Sequence, residues 1–112
     1  MNITGKLVTD EKQEITISKV QKVVCDYFNI TKDLLVSKTR KRKIVQARQI
    51  AMYMSRTLIS SCSLATIGAE IGGKDHATVM HACNTVSDLM ATDKTFKQYC
   101  TDIQKMLVQV RQ

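Results

Sequence analysis

Two stretches of this 112-residue chain hold most of the side chains whose types and spacing could do chemistry. The first is Lys38-Thr-Arg-Lys-Arg-Lys43, followed by Arg48 and Gln49. The second is Lys74-Asp-His-Ala-Thr78, followed by His81 and Asn84. From Leu34 through Ala69 there is no Asp or Glu, while Lys38, Arg40, Lys41, Arg42, Lys43, Arg48 and Arg56 fall inside that window. Over the whole chain 17 Lys and Arg oppose 10 Asp and Glu, a formal net charge of +7. A one-signed patch this dense attracts a polyanion, either duplex nucleic acid or an anionic membrane surface.

Other chemistries find little support in the spacing. The ten acids are scattered, and no Ser-His-Asp or Cys-His set is suggested, so an enzyme is not expected. Gly68-Ala-Glu-Ile-Gly-Gly-Lys-Asp75 comes close to a phosphate-binding loop, but Asp75 replaces the hydroxyl that would hold Mg²⁺ and would repel phosphate. His76, His81, Cys83 and the distant Cys62 lack zinc-finger spacing, so no metal is expected. The cysteines, Cys25, Cys62, Cys83 and Cys100, form no CxxC pair and read as reduced residues of a cytoplasmic protein. No apolar run approaches the roughly 18 residues of a membrane span, and Met1 to Thr16 lack the pattern of a signal peptide.

The elements that must position these residues are helical. The chain has no proline, four glycines and five aromatics, with little strand-like alternation. Residues 1–14 carry no apolar period and read as a flexible tail or linker, leaving 15–112 as one domain. Thr16 or Ser18 caps a first helix with the stripe Val20, Val23, Val24, Tyr27 and Phe28, closed by Asn29. Thr31 caps a short helical turn. The basic segment 37–43 begins as a loop and leads into a long helix to about Ile59, burying Ala47, Ile50, Ala51, Met54 and Leu58. A last helix, capped by Thr92 or Asp93, carries Phe96, Tyr99, Cys100, Ile103, Leu107 and Val110 inward. The expected class is all-α, about five helices plus one short turn.

Between the long helix and the last one lies a helix-turn-helix: Ser63–Ile71, a turn Gly72–Lys74, and a recognition helix Asp75–Met90. With Val79, Ala82, Cys83, Val86 and Met90 inward, Lys74, Ala77, Thr78, His81 and Asn84 point outward, and His76 flanks the first turn. That outer surface is small, polar and free of acid until Asp88, which suits groove reading.

Two motifs extend the reading. Ile71-Gly-Gly-Lys-Asp-His-Ala-Thr-Val-Met-His-Ala-Cys83 closely resembles the signature of the C-terminal DNA-binding domain of the bacterial replication-initiator DnaA family. Lys38-Thr-Arg-Lys-Arg-Lys-Ile-Val-Gln-Ala-Arg-Gln-Ile-Ala-Met52 resembles that domain's basic loop and following helix. The resemblance implies a domain that binds DnaA boxes at the replication origin, a monomer when isolated. It makes Arg40 the minor-groove arginine, and Asp75, His76 and Ala77 the major-groove readers. It makes Lys38, Arg48, Gln49, Arg56, Lys74, Thr78 and His81 phosphate contacts. The chain departs from the family at Lys74, where Arg is common, at Ala77, where a hydroxyl residue is common, and at Ala65, where Pro is common. No cofactor is expected in this domain; ATP would bind an ATPase domain of a full-length initiator that this sequence lacks.

The expected function is therefore sequence-specific binding of double-stranded DNA in the cytoplasm, at the nucleoid, without membrane insertion. The alternative is an RNA-binding helical module, set back by the aromatics: Tyr27, Phe28, Phe96 and Tyr99 all lie on apolar stripes, leaving no stacking platform. A pure protein-interaction domain would leave the acid-free stretch unexplained.

Overall fold

The structure, a computed structural model, describes residues 15–108. The expected tail at residues 1–14 and the expected inward Val110 lie outside them. The described residues form six helices: α1 (Ile17–Phe28), α2 (Lys32–Leu35), α3 (Arg42–Leu58), α4 (Leu64–Glu70), α5 (His76–Thr92) and α6 (Lys94–Val108). There is no strand among them. Five full helices and one single-turn helix match the expected all-α arrangement.

Local chemistry fixes most of the boundaries. Thr16, Thr31, Ser63 and Asp75 each accept a backbone N–H three residues on, satisfying a donor that the first helical turn leaves open. Asp93 does the same for α6, its Oδ1 accepting from Thr95 and Phe96 N–H at 3.0 and 3.1 Å. Asn29 ends α1 at φ 57°, one of the few side chains that tolerates the left-handed region. α3 differs: Lys41 precedes it without a side-chain cap, so its start depends on tertiary contacts.

Helix α3 runs through the middle, with α1, α2, α4 and α5 packed on it, and α6 closes the far side against α1 and α5. Its buried set is wider than one stripe, adding Ile44, Met52, Ser55 and Arg48 to Ala47, Ile50, Ala51 and Met54. In α1 the inner face rotates slightly from the expected stripe. Gln21 and Cys25 are buried, while Val23 and Tyr27 are only half-buried. Tyr27 compensates by donating its hydroxyl to Asp102 Oδ2 at 2.7 Å, which ties α1 to α6. Burial, and then that hydrogen bond, push the Tyr27 phenol up to about 12.

The turn between α4 and α5 is held from three directions. Gln21 Nε2 donates to the Glu70 carbonyl at 3.0 Å, anchoring the end of α4 to α1. Lys74 N–H donates to the Gly68 carbonyl at 2.8 Å, folding the turn back onto α4. Gly72 and Gly73 adopt φ 94° and 64°, as expected where a chain leaves a helix through the left-handed region. Gly68 has a different role. A Cβ there would collide with the Lys74 carbonyl oxygen and stand 3.1 Å from Val79 Cγ2. The close approach of turn and helix requires a residue with no side chain. The glycine that completes the phosphate-loop-like spelling is thus a packing residue inside a helix.

This predicts the sign of one substitution. In an unobstructed helix interior, Gly→Ala stabilises by about 1 kcal/mol. Gly68→Ala should instead destabilise by about 1–3 kcal/mol, because the Lys74 backbone must move. Urea unfolding of both chains, followed by circular dichroism, measures the shift; a raised midpoint for Gly68→Ala would show that the turn is not clamped there.

Candidate nucleic-acid interface

The interface is built on the exposed start of α5 and the loop before α3. Asp75, His76, Ala77 and Thr78 are all exposed, as are Met80, His81 and Asn84 further along. Val79, Ala82, Cys83 and Val86 are buried, so the helix presents the expected face outward. Met90 is half-buried at the edge of the inner stripe. Asp75 caps the helix through Oδ1, which accepts from Thr78 N–H at 2.9 Å. That backbone hydrogen bond holds the Asp75 carboxyl below its ordinary value, so it stays ionised at neutral pH. A fixed carboxylate here repels phosphate and accepts from base amino groups, such as that of cytosine.

Five of the seven residues expected at phosphates come together. Arg48 and Gln49 of α3 and Lys74, Thr78 and His81 around the start of α5 line one cleft of about 200 Å³. Its apolar wall is Val45, Met52 and Ala82. The Lys74 ammonium, a hydroxyl, an amide and an imidazole around a notch of this size offer charge and hydrogen bonds to one anionic group. Arg56 lies two turns further along α3, exposed, with its guanidinium beside the Cys83 thiol of α5. Lys38 stands apart from the cleft, exposed on the basic loop.

The basic loop from Lys38 to Arg40 follows a turn and a bend at Val36 and Ser37. Ser37 Oγ donates to the Leu34 carbonyl at 2.7 Å and accepts from Thr39 N–H at 3.3 Å. Thr39 Oγ1 accepts from Lys41 N–H at 3.3 Å. Exposure alternates along it: Lys38 and Arg40 are exposed, while Ser37 and Thr39 are half-buried. Arg40 therefore projects from a loop with internal structure, although no helix or strand contains it.

Arg48, expected at a phosphate, is only 8% exposed. Its Nε donates to the Leu35 carbonyl at 2.9 Å, and its Nη2 to the Ser37 carbonyl at 2.7 Å and, more weakly, the Thr39 carbonyl at 3.4 Å. Burial lowers the pKa of the guanidinium from its ordinary value. The signal was present in the spacing: Arg48 falls between Ile44 and Ala51 on the inner stripe of α3, at i+4 and i−3. Gly68 was likewise missed as a site-shaping residue.

The other chemistries stay apart. Among the described residues no group of three or more His, Cys, Asp or Glu is placed to hold a metal ion. No helix of the described residues is long and apolar enough to cross a membrane.

Residues 17–86 match the family described as the bacterial dnaA protein helix-turn-helix. Curated relatives named chromosomal replication initiator protein DnaA are similar over nearly all of the chain. The protein of Flavobacterium psychrophilum is 50% identical over 105 residues, covering 94% of this chain. That of Bacteroides thetaiotaomicron is 42% identical over 106 residues, 95% of the chain. That of Lactobacillus johnsonii is 48% identical over 102 residues, 91% of the chain. In each case the chain spans 22% of the relative's length.

The exposed first turn of α5 gives a prediction at Ala77, whose methyl can meet a thymine methyl but cannot hydrogen-bond. Ala77→Thr should leave the fold intact, at a propensity cost of about 0.5 kcal/mol, and change preference at one or two adjacent base pairs by up to about 1 kcal/mol. His76→Ala should reduce discrimination more, since it removes a polar reader. Binding to single-base variants of a selected duplex checks both. An equal shift on every variant for Ala77→Thr would mean that residue 77 does not face bases.

Proposed function

The chain belongs to the bacterial DnaA helix-turn-helix family, and from that premise we propose that it binds duplex DNA sequence-specifically through both grooves. The first turn of α5 enters the major groove, with Asp75, His76 and Ala77 at base edges. Arg40 enters the adjacent minor groove, where an A·T-rich tract concentrates negative potential. Gln49, Lys74, Thr78 and His81 hold a phosphate at the α3–α5 cleft; Lys38 and Arg56 take flanking phosphates. The observation that carries this reading is structural: one side chain, Arg48, lines the cleft and also holds the backbone of the arginine-bearing loop. Major-groove and minor-groove elements thus share one support.

In this reading the domain needs no metal or nucleotide and acts as a monomer on an asymmetric DnaA-box-like site. It works in the cytoplasm and carries out no reaction itself. Addressing a longer initiator protein to a replication origin is the role proposed for it. The rings of Tyr27, Phe28, Phe96 and Tyr99 pack edge-to-face on one another at centroid distances of 5.2–6.3 Å. That arrangement favours duplex over single-stranded RNA, which would be bound by stacking on open ring faces.

Selection of duplexes from a random pool tests the proposal; a single enriched asymmetric motif, not displaced by single-stranded RNA, is the expected result. Lys38, Arg56, Lys74 and two or three of Lys41, Arg42 and Lys43 make about five to six neutralised phosphates, hence a log–log salt slope of about −4.5 to −5.4. A flat salt response counts against a DNA footprint. On the selected duplex, Arg40→Ala should cost about 1–3 kcal/mol and Lys41→Ala clearly less. Equal small losses in fluorescence-anisotropy titrations would remove Arg40 from the minor groove.

A further inference from the structure

We propose that Arg48 is a positioning residue for minor-groove recognition: it fixes the loop before α3 so that Arg40 is presented in register with the recognition helix, and it does not itself neutralise a phosphate. This inference rests on the proposed two-groove reading.

The acceptors of Arg48 are the carbonyls of Leu35, Ser37 and Thr39, every second residue along the chain. Leu35 closes α2 and Val36 follows it at φ -93° and ψ 3°, so the three carbonyls run from a helix end into the loop. A single guanidinium bound to carbonyls 35, 37 and 39 pins the chain at the end of α2 and at two points along the loop. The burial pattern follows: Leu35 is buried, Ser37 and Thr39 are half-buried, and Lys38 and Arg40 are exposed.

The planar fork of arginine suits this task. Nε and Nη2 are fixed relative to each other and reach carbonyls on separate residues, whereas a lysine ammonium is one point on a flexible stem. Nε and Nη2 are occupied from within. Leaving a buried guanidinium without these acceptors would incur a large desolvation cost, so there is a strong force keeping the loop in place. No Asp or Glu occurs from Leu34 through Ala69, so carbonyls take the place of an acidic partner and the loop keeps its full positive charge toward DNA.

Arg48 also lines the cleft shared with Lys74 and Thr78, at the entry to α5. The loop is thus referenced to the recognition helix through α3. That geometry matters because two reading elements in adjacent grooves bind together only when their separation is set in advance.

The test uses the 112-residue chain, the duplex motif it selects, and single-base variants in the major-groove and minor-groove parts of that motif. Arg48→Lys keeps the charge and loses the fork. It should lower base-pair preference in the minor-groove part about tenfold while leaving the major-groove preference in place. The salt slope should stay that of the wild type. The double variant Arg40→Ala with Arg48→Lys should bind no more weakly than Arg40→Ala alone, because Arg48 acts through Arg40.

A uniform loss on every duplex with a slope shallower by about 0.9 would identify a phosphate contact and overturn the proposal. So would additive losses in the double variant, or equal loss of preference in both grooves. Should Arg48→Lys fail to fold, nitrogen-15 NMR of the wild type decides. The Arg48 Nε–H should be protected from solvent exchange before DNA is added and keep its shift on binding; rapid exchange in the free protein overturns the clamp. A wild type without any sequence preference would instead defeat the DNA reading itself, whatever the NMR of Arg48.

Discussion

Helix α3 is packed on by α1, α2, α4 and α5, and that enclosure decides where its charges go. A helix enclosed on so many sides cannot send every polar residue to solvent. Gln49 and Arg56 reach the α5 side at the surface, while Arg48 falls inward. A buried guanidinium must find acceptors. The nearest available are the backbone carbonyls of the segment leading into α3, and binding them gives an otherwise irregular loop a defined conformation. The same event closes the uncapped start of α3, because the loop held by Arg48 runs directly into Lys41 and Arg42.

The second half of the interface is set by a close approach between backbones. Lys74 sits on Gly68, and the end of α4 is tied to α1 through Gln21 and the Glu70 carbonyl. Together these fix where the chain emerges from the turn. Asp75 then starts α5 at that point, and its carboxylate is engaged with the helix N-terminus while still exposed to a ligand. Capping uses Oδ1 and leaves the other lone pairs of the carboxylate open to an amino donor.

Electrostatics follow from this geometry. Lys38, Arg40 and Lys41 are exposed on the loop, Lys74 is half-buried at the cleft, and Asp75 supplies a negative charge next to it in the chain. The field draws a polyanion in, and the one fixed carboxylate penalises any register that places a phosphate against it. Lys22 and Asp26 form a salt bridge on α1.

The sequence by itself determined the helices, their caps, the helix-turn-helix and the basic character of the loop. These depend on short-range rules: periodicity over a few turns, one side chain reaching three residues ahead, and the tolerance of Gly and Asn for positive φ. It also named the residues that gather at the cleft, since each lies at an outward register or matches a family motif. Only the tertiary structure decided the roles of Arg48, Gly68 and Gln21. Their partners are backbone carbonyls at Leu35, Ser37, Lys74 and Glu70. A carbonyl is common to every residue, so no letter in the sequence marks which one will be approached. That choice exists only once helices distant along the chain are packed and their backbones face one another.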